Sequence, residues 1–149
     1  MINRKFILFL ILTSTCSFGQ NVTNPLITLE NELNQCIKEN SKEELNCHKE
    51  YYHELQFWET EVFEAVFEMI SKHKTEAEKT AFREKQIAWK ESTYWYFAMT
   101  MKEFQNKHPN KFVWDKDPKL KADVKTFYQK NAKYYIDRIS HLLSLVENN

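Results

Sequence analysis

Few residues of this 149-residue chain have types and spacing that suggest chemistry. Cys36 and Cys47 are separated by ten residues that hold one helix break, Asn40-Ser41. Two antiparallel helices meeting at that break bring two α-carbons within the roughly 4.4–6.8 Å that a disulfide requires. Two buried free thiols are the alternative, and the choice turns on the redox compartment. Glu59 and Arg138 are the other pair. Each falls on or beside the apolar stripe of a long helical pattern, where a lone charge is costly. A half-buried ion pair between them accounts for both. The competing explanation puts each at a stripe edge, reaching solvent while its stem covers apolar surface.

Other chemistry has weaker footing. His53-Glu54-Leu55-Gln56-Phe57 carries Phe where a zinc-protease helix needs its second His. Glu50 and His53 have the spacing of half a di-iron carboxylate site, and the chain has no second half. Ser41, Ser92 and Ser140 sit in helical or capping context, with no Gly-x-Ser-x-Gly elbow. The expectation is a non-enzymatic chain with no metal and no cofactor, since a hydrolase would lack a nucleophile–base set.

The elements that position these residues are helices. Pro25, after Asn24 as cap, opens a helix to about Glu39, with Leu26, Leu29, Leu33 and Cys36/Ile37 at helical spacing. Ser41-Lys42-Glu43-Glu44 reads as a capping box for a second helix, from about Lys42 to Ser71. Its stripe is Leu45, His48, Tyr52, Leu55, Glu59, Val62, Val66 and Met69. Thr75-Glu76-Ala77-Glu78 is a second capping box, and its helix continues to about Lys107, where His108-Pro109 ends it. Residues 108–117 form the longest connection, and Asp117-Pro118 starts a fourth helix that runs to about Val146. These patterns predict an all-α fold, an antiparallel helical bundle of one short and three long helices, with residues 20–149 as a single domain.

The densest aromatic run, Phe82 to Phe97, is expected to be the central helix around which the others pack. Its main stripe is Phe82, Gln86, Trp89, Thr93, Tyr96/Phe97, Thr100 and Phe104, and Trp95 projects roughly opposite. A helix apolar all round is usually buried, which favours cover on both sides. Otherwise Trp95 marks a contact patch.

The first residues predict export. Arg4 and Lys5 precede an apolar run from Phe6 to Leu12, and Ser17-Phe18-Gly19 puts small residues where signal peptidase cleaves. Residues 1–19 read as a signal peptide, with Gln20 the mature N-terminus and no membrane span after its removal. The rival is a lipoprotein signal with Cys16 lipidated. Thr13 and Thr15 stand where that signal wants a large aliphatic and a small residue, so ordinary cleavage to the periplasm or the exterior is the expectation. Export leaves Cys36 and Cys47 as an even pair and favours the disulfide. Gly19 is the only glycine, which argues against glycine-dependent phosphate loops and tight hairpins.

The formal net charge is zero, yet its distribution is uneven. Residues 30–70 carry eleven acidic and three basic side chains, and residues 71–149 ten acidic and sixteen basic. No basic track interleaved with aromatics suggests nucleic acid. Glu43, Glu50, Glu54, Glu61, Glu64 and Glu68 favour the outward side of the second helix. That face either steers a basic protein partner or is a solvated surface. Trp95 and, in the 108–117 connection, Trp114 are the aromatic candidates for a partner surface.

Over roughly residues 30–145 the chain resembles the exported lysozyme-inhibitor LprI-like N-terminal domain family. The resemblance rests on Cys36 and Cys47, on Gln86-Ile87-Ala88-Trp89 as a Gln-x-x-Trp segment, and on Arg138 with Leu142 four residues later. Glu59 stands where the family usually has Asp, Thr93 where it has Arg, and Phe97 where a third cysteine is common. The resemblance implies an exported helical domain without a cofactor and, in some relatives, lysozyme binding. A structural or envelope-interaction module with another partner is the second expectation.

Overall fold

The computed structural model describes residues 22–147, and the expected signal segment with Cys16 and Gln20 lies outside them. Four helices follow one another: α1 (Leu26–Glu39), α2 (Glu44–Ser71), α3 (Glu76–Lys107) and α4 (Lys121–Glu147). Short 3₁₀ turns at Ser41–Glu43 and Pro118–Leu120 lead into α2 and α4, and there is no strand among the described residues. The fold is an all-α bundle of one short and three long helices.

Local chemistry explains most of the boundaries. The Asn24 side chain accepts from the Leu26 N–H at 3.0 Å, and Pro25 already has helical dihedrals. Thr75 and Glu78 form the expected capping box. The Thr75 hydroxyl accepts from the Glu78 N–H, and the Glu78 carboxylate accepts from the Thr75 N–H at 2.8 Å. Those contacts, with the Thr75 hydroxyl and Lys74, hold the Glu78 carboxyl at about 2. Its contribution is therefore present above the ordinary value of 4.5 and is lost as pH falls through the depressed one. Thr75→Ala should cost about 1 kcal/mol of stability in urea unfolding at neutral pH. An unchanged midpoint would show that the box does not hold the α2–α3 turn.

The expected box at Ser41 is not formed. Ser41–Glu43 winds into a 3₁₀ turn, and α2 starts at Glu44 without a side-chain cap. Glu44 is drawn elsewhere, to Lys125 of α4 at 3.1 Å and to His48 at 3.5 Å. A charged partner on another helix outcompetes the local backbone donor.

α2 and α4 form the central pair. They run parallel: Glu44 meets Lys125, Gln56 meets Tyr135 and Glu59 meets Arg138. α3 returns antiparallel to both, with Phe82 stacked on Phe63 at 5.4 Å, Phe97 edge-on to Phe127 and Lys107 bound to Asp123. α1 packs on α2 alone among the more extensive helix contacts. The core is Leu55, Val62, Val66, Val124, Ile139 and Leu142 with the aromatic rings of Tyr52, Phe63, Phe104, Phe127 and Tyr135.

This corrects the expectation that Phe82–Phe97 forms the centre. Its stripe is inward: Gln86, Thr100 and Phe104 are buried and Phe82, Trp89, Tyr96 and Phe97 half-buried. The other side has no cover among the described residues, and Trp95 is 71% exposed. Four consecutive aromatics encircle a helix, and only the two that point at α4, Tyr96 and Phe97, find a neighbour there.

Candidate functional site

Two arrangements bring the singled-out residues together: a buried polar centre and an outward acidic ridge. The polar centre joins α2, α3 and α4. Glu59 is 1% exposed, and Arg138 Nε lies 3.6 Å from its Oε1. That separation is an ion pair without a hydrogen bond. Gln86 supplies the hydrogen bonds. Its Nε2 donates to Glu59 Oε1 at 2.8 Å, and its Oε1 accepts from Arg138 Nη2 at 2.6 Å. The guanidinium also lies over the Trp89 ring at 5.1 Å, and that ring stacks on Tyr134. Gln86 and Trp89, one helical turn apart on α3, thus grip one arginine of α4. Leu142, a turn beyond Arg138, is fully buried and floors the core.

Burial raises the Glu59 carboxyl above its ordinary value, against the opposing pull of Gln86, Lys90 and Arg138. Burial likewise lowers Arg138, opposed by Glu59. Desolvation therefore outweighs attraction at both ends of the pair. Closed from solvent, Glu59 is a positioning group that registers three helices rather than a base facing substrate.

The disulfide lies at the N-terminal end of α2, with the Cys36 and Cys47 α-carbons 5.8 Å apart. No group of three or more His, Cys, Asp or Glu among the described residues is placed to hold a metal ion. His53 instead meets Gln56 at 3.0 Å.

The acidic ridge runs along the outer face of α2. Glu50, Glu54, Glu61, Glu64 and Glu68 are all exposed, and none forms an ion pair among the described residues. At about 100° per residue they fall within a stripe about 80° wide and about 27 Å long. Phe57 shares the stripe near its middle and is 57% exposed. The sequence reading missed Phe57, although its signal was available: seven residues after Glu50 and four before Glu61, it is on the wrong phase for the core. Glu50 and Glu54 also line a groove against α1 with Leu29, Leu33, Tyr51 and the disulfide.

Trp95 and Trp114 belong to neither arrangement. Trp95 stands on the outer face of α3 beside Tyr94, ring centroids 5.5 Å apart, with Ile87 and Met99 also exposed. Trp114 sits in the α3–α4 connection, stacked on Phe112 at 4.8 Å. No helix among the described residues is long and apolar enough to cross a membrane. No protein-family model, no curated protein and no solved structure matches the chain.

Proposed function

We propose that this chain is an exported, non-enzymatic protein-binding domain whose α2 ridge holds a basic envelope protein. The observation that carries the reading is the ridge itself, five exposed glutamates without ion-pair partners among the described residues and one exposed phenylalanine among them. Aligned like charges repel one another and gain when a basic surface covers them. An aromatic side chain ringed by polar groups is the usual anatomy of a binding hot spot. The disulfide is compatible with export, where such bonds persist. The resemblance to LprI-like domains makes lysozyme, commonly a basic protein, the first partner to test.

The purified chain in large excess should slow lysis of a bacterial cell-wall suspension by lysozyme, and added salt should weaken the effect. Phe57→Ala should weaken the inhibition about tenfold or more, at the hot-spot scale. Glu54→Gln with Glu61→Gln should mainly slow association and flatten the salt dependence. Lysis that proceeds unhindered at a large excess of the wild-type chain would rule out lysozyme as the partner.

The second reading is a structural or envelope-interaction module that binds through the outer face of α3. It is favoured by the exposure of Trp95 together with Tyr94, Ile87 and Met99. Binding of this kind would survive high salt and be lost in Trp95→Ala.

A further inference from the structure

The α3–α4 connection is built to hold two aromatic rings in solvent. Val113 is buried and anchors the loop, so its neighbours on either side point outward. Phe112 and Trp114 stack on each other nearly parallel, with Trp114 62% exposed. The backbone around them is tied down. The Lys111 N–H donates to the His108 carbonyl at 3.1 Å and the Asp115 N–H to the Phe112 carbonyl at 3.0 Å. The Phe112 N–H donates to the Asp115 carboxylate at 3.0 Å. Asn110 takes a positive φ of 62° to complete the turn. Two large rings exposed on a fixed loop forfeit burial that the core would give them.

The charges around this loop are sorted. Its carboxylates are occupied. Asp115 accepts from the Phe112 N–H, and Asp117 accepts from the Lys119 N–H and pairs with Lys111. Asp123 is held by Lys107 and His108, and Glu44 by Lys125. Three ammonium groups remain against the single Asp115 carboxylate, which only a backbone N–H holds, an excess of two positive charges. Lys116, Lys119 and Lys121 are exposed and form no ion pair among the described residues. The neighbouring α1–α2 turn adds Lys42 and Glu43, which cancel. The result is a rigid aromatic tip beside three unpaired lysines.

We propose that this end of the bundle docks on an anionic phospholipid surface. Trp114 and Phe112 enter the headgroup layer, and Lys116, Lys119 and Lys121 lie along the lipid phosphates. Amphipathic rings settle at that boundary, and lysines beside it gain from the negative surface potential. These residues lie in the α3–α4 connection and at the start of α4, whereas the ridge lies on α2, so this surface is separate from the protein-binding one.

The test is co-sedimentation of the chain with phosphatidylcholine vesicles, with and without phosphatidylglycerol. Binding is expected only to the anionic vesicles and should fall with salt. Trp114→Ala should weaken it about tenfold, and each of Lys116→Gln, Lys119→Gln and Lys121→Gln about fivefold. Trp114→Phe should still sediment but lose the blue shift of tryptophan emission seen with the wild type, which reports insertion at this position. These side chains are exposed, so circular dichroism of the variants should be unchanged. Trp95→Ala and Phe57→Ala should bind vesicles normally, which separates this proposal from both readings of the partner surface. Equal sedimentation of wild type and Trp114→Ala, equal binding to neutral vesicles, or Trp114-dependent binding to a protein without vesicle binding would each overturn it.

Discussion

Arg138→Met is expected to destabilise the fold by about 3–5 kcal/mol at neutral pH, the cost of leaving a buried carboxylate without its counter-charge. Arg138 is the only cation in ion-pair contact with Glu59 among the described residues, and Glu59 is almost entirely enclosed. Methionine fills a similar volume and keeps the contact with Trp89, so the loss reads the charge rather than a cavity. The pH dependence follows from the raised Glu59 carboxyl. A carboxyl raised in the folded state favours folding below its ordinary value of 4.5 and loses that advantage as pH rises through the raised value. Removing Arg138 raises it further. The penalty in Arg138→Met should therefore shrink as pH falls from neutral towards 4.5. Urea midpoints of wild type and variant at neutral pH and at about pH 5 measure this. A penalty that does not shrink on acidification would mean that Glu59 is already neutral, or not buried. Replacing Glu59, Gln86 and Arg138 together by Met, Leu and Met should recover most of the stability, because no uncompensated group remains.

The second large effect is at the disulfide. Replacing Cys36 and Cys47 by alanine should remove about 3 kcal/mol, by the entropy of the loop that the bond closes. The loss should be local. α1 buries only Leu29 along its length and packs on α2 alone among the more extensive contacts, so the bond is its main tether. Amide exchange of α1 should rise about a hundredfold while the central amides of α2, α3 and α4 stay protected. If protection fell throughout the bundle, α1 would be part of the cooperative core. If α1 exchanged no faster, the Leu29 contact alone would suffice to hold it.

These expectations also show where sequence reasoning held and where it stopped. Helix type was legible because it depends on neighbours in the chain. The period of the apolar stripes and the Thr75–Glu78 box act within one or two turns. The Cys36–Cys47 bond was legible from its spacing across one helix break together with the expected export, which chose it over two free thiols. The polar centre was half legible. Glu59 and Arg138 stood out as charges on apolar stripes, whereas Gln86, placed on the α3 stripe and in the Gln-x-x-Trp segment, was not linked to either of them although it carries both hydrogen bonds.

What the sequence alone determined is an all-α chain with two cysteines placed to meet between its first two helices and an acidic outer face on α2, because periodicity and spacing are local quantities. Only the tertiary structure decided which helices pair. Phe82–Phe97 has the most aromatic surface, yet α2 and α4 take the centre and Trp95 is left in water. Glu44, apt for a cap, is taken by Lys125 from a helix about eighty residues away. Competition between partners distant in sequence is settled by packing all helices at once, and no local pattern contains that outcome.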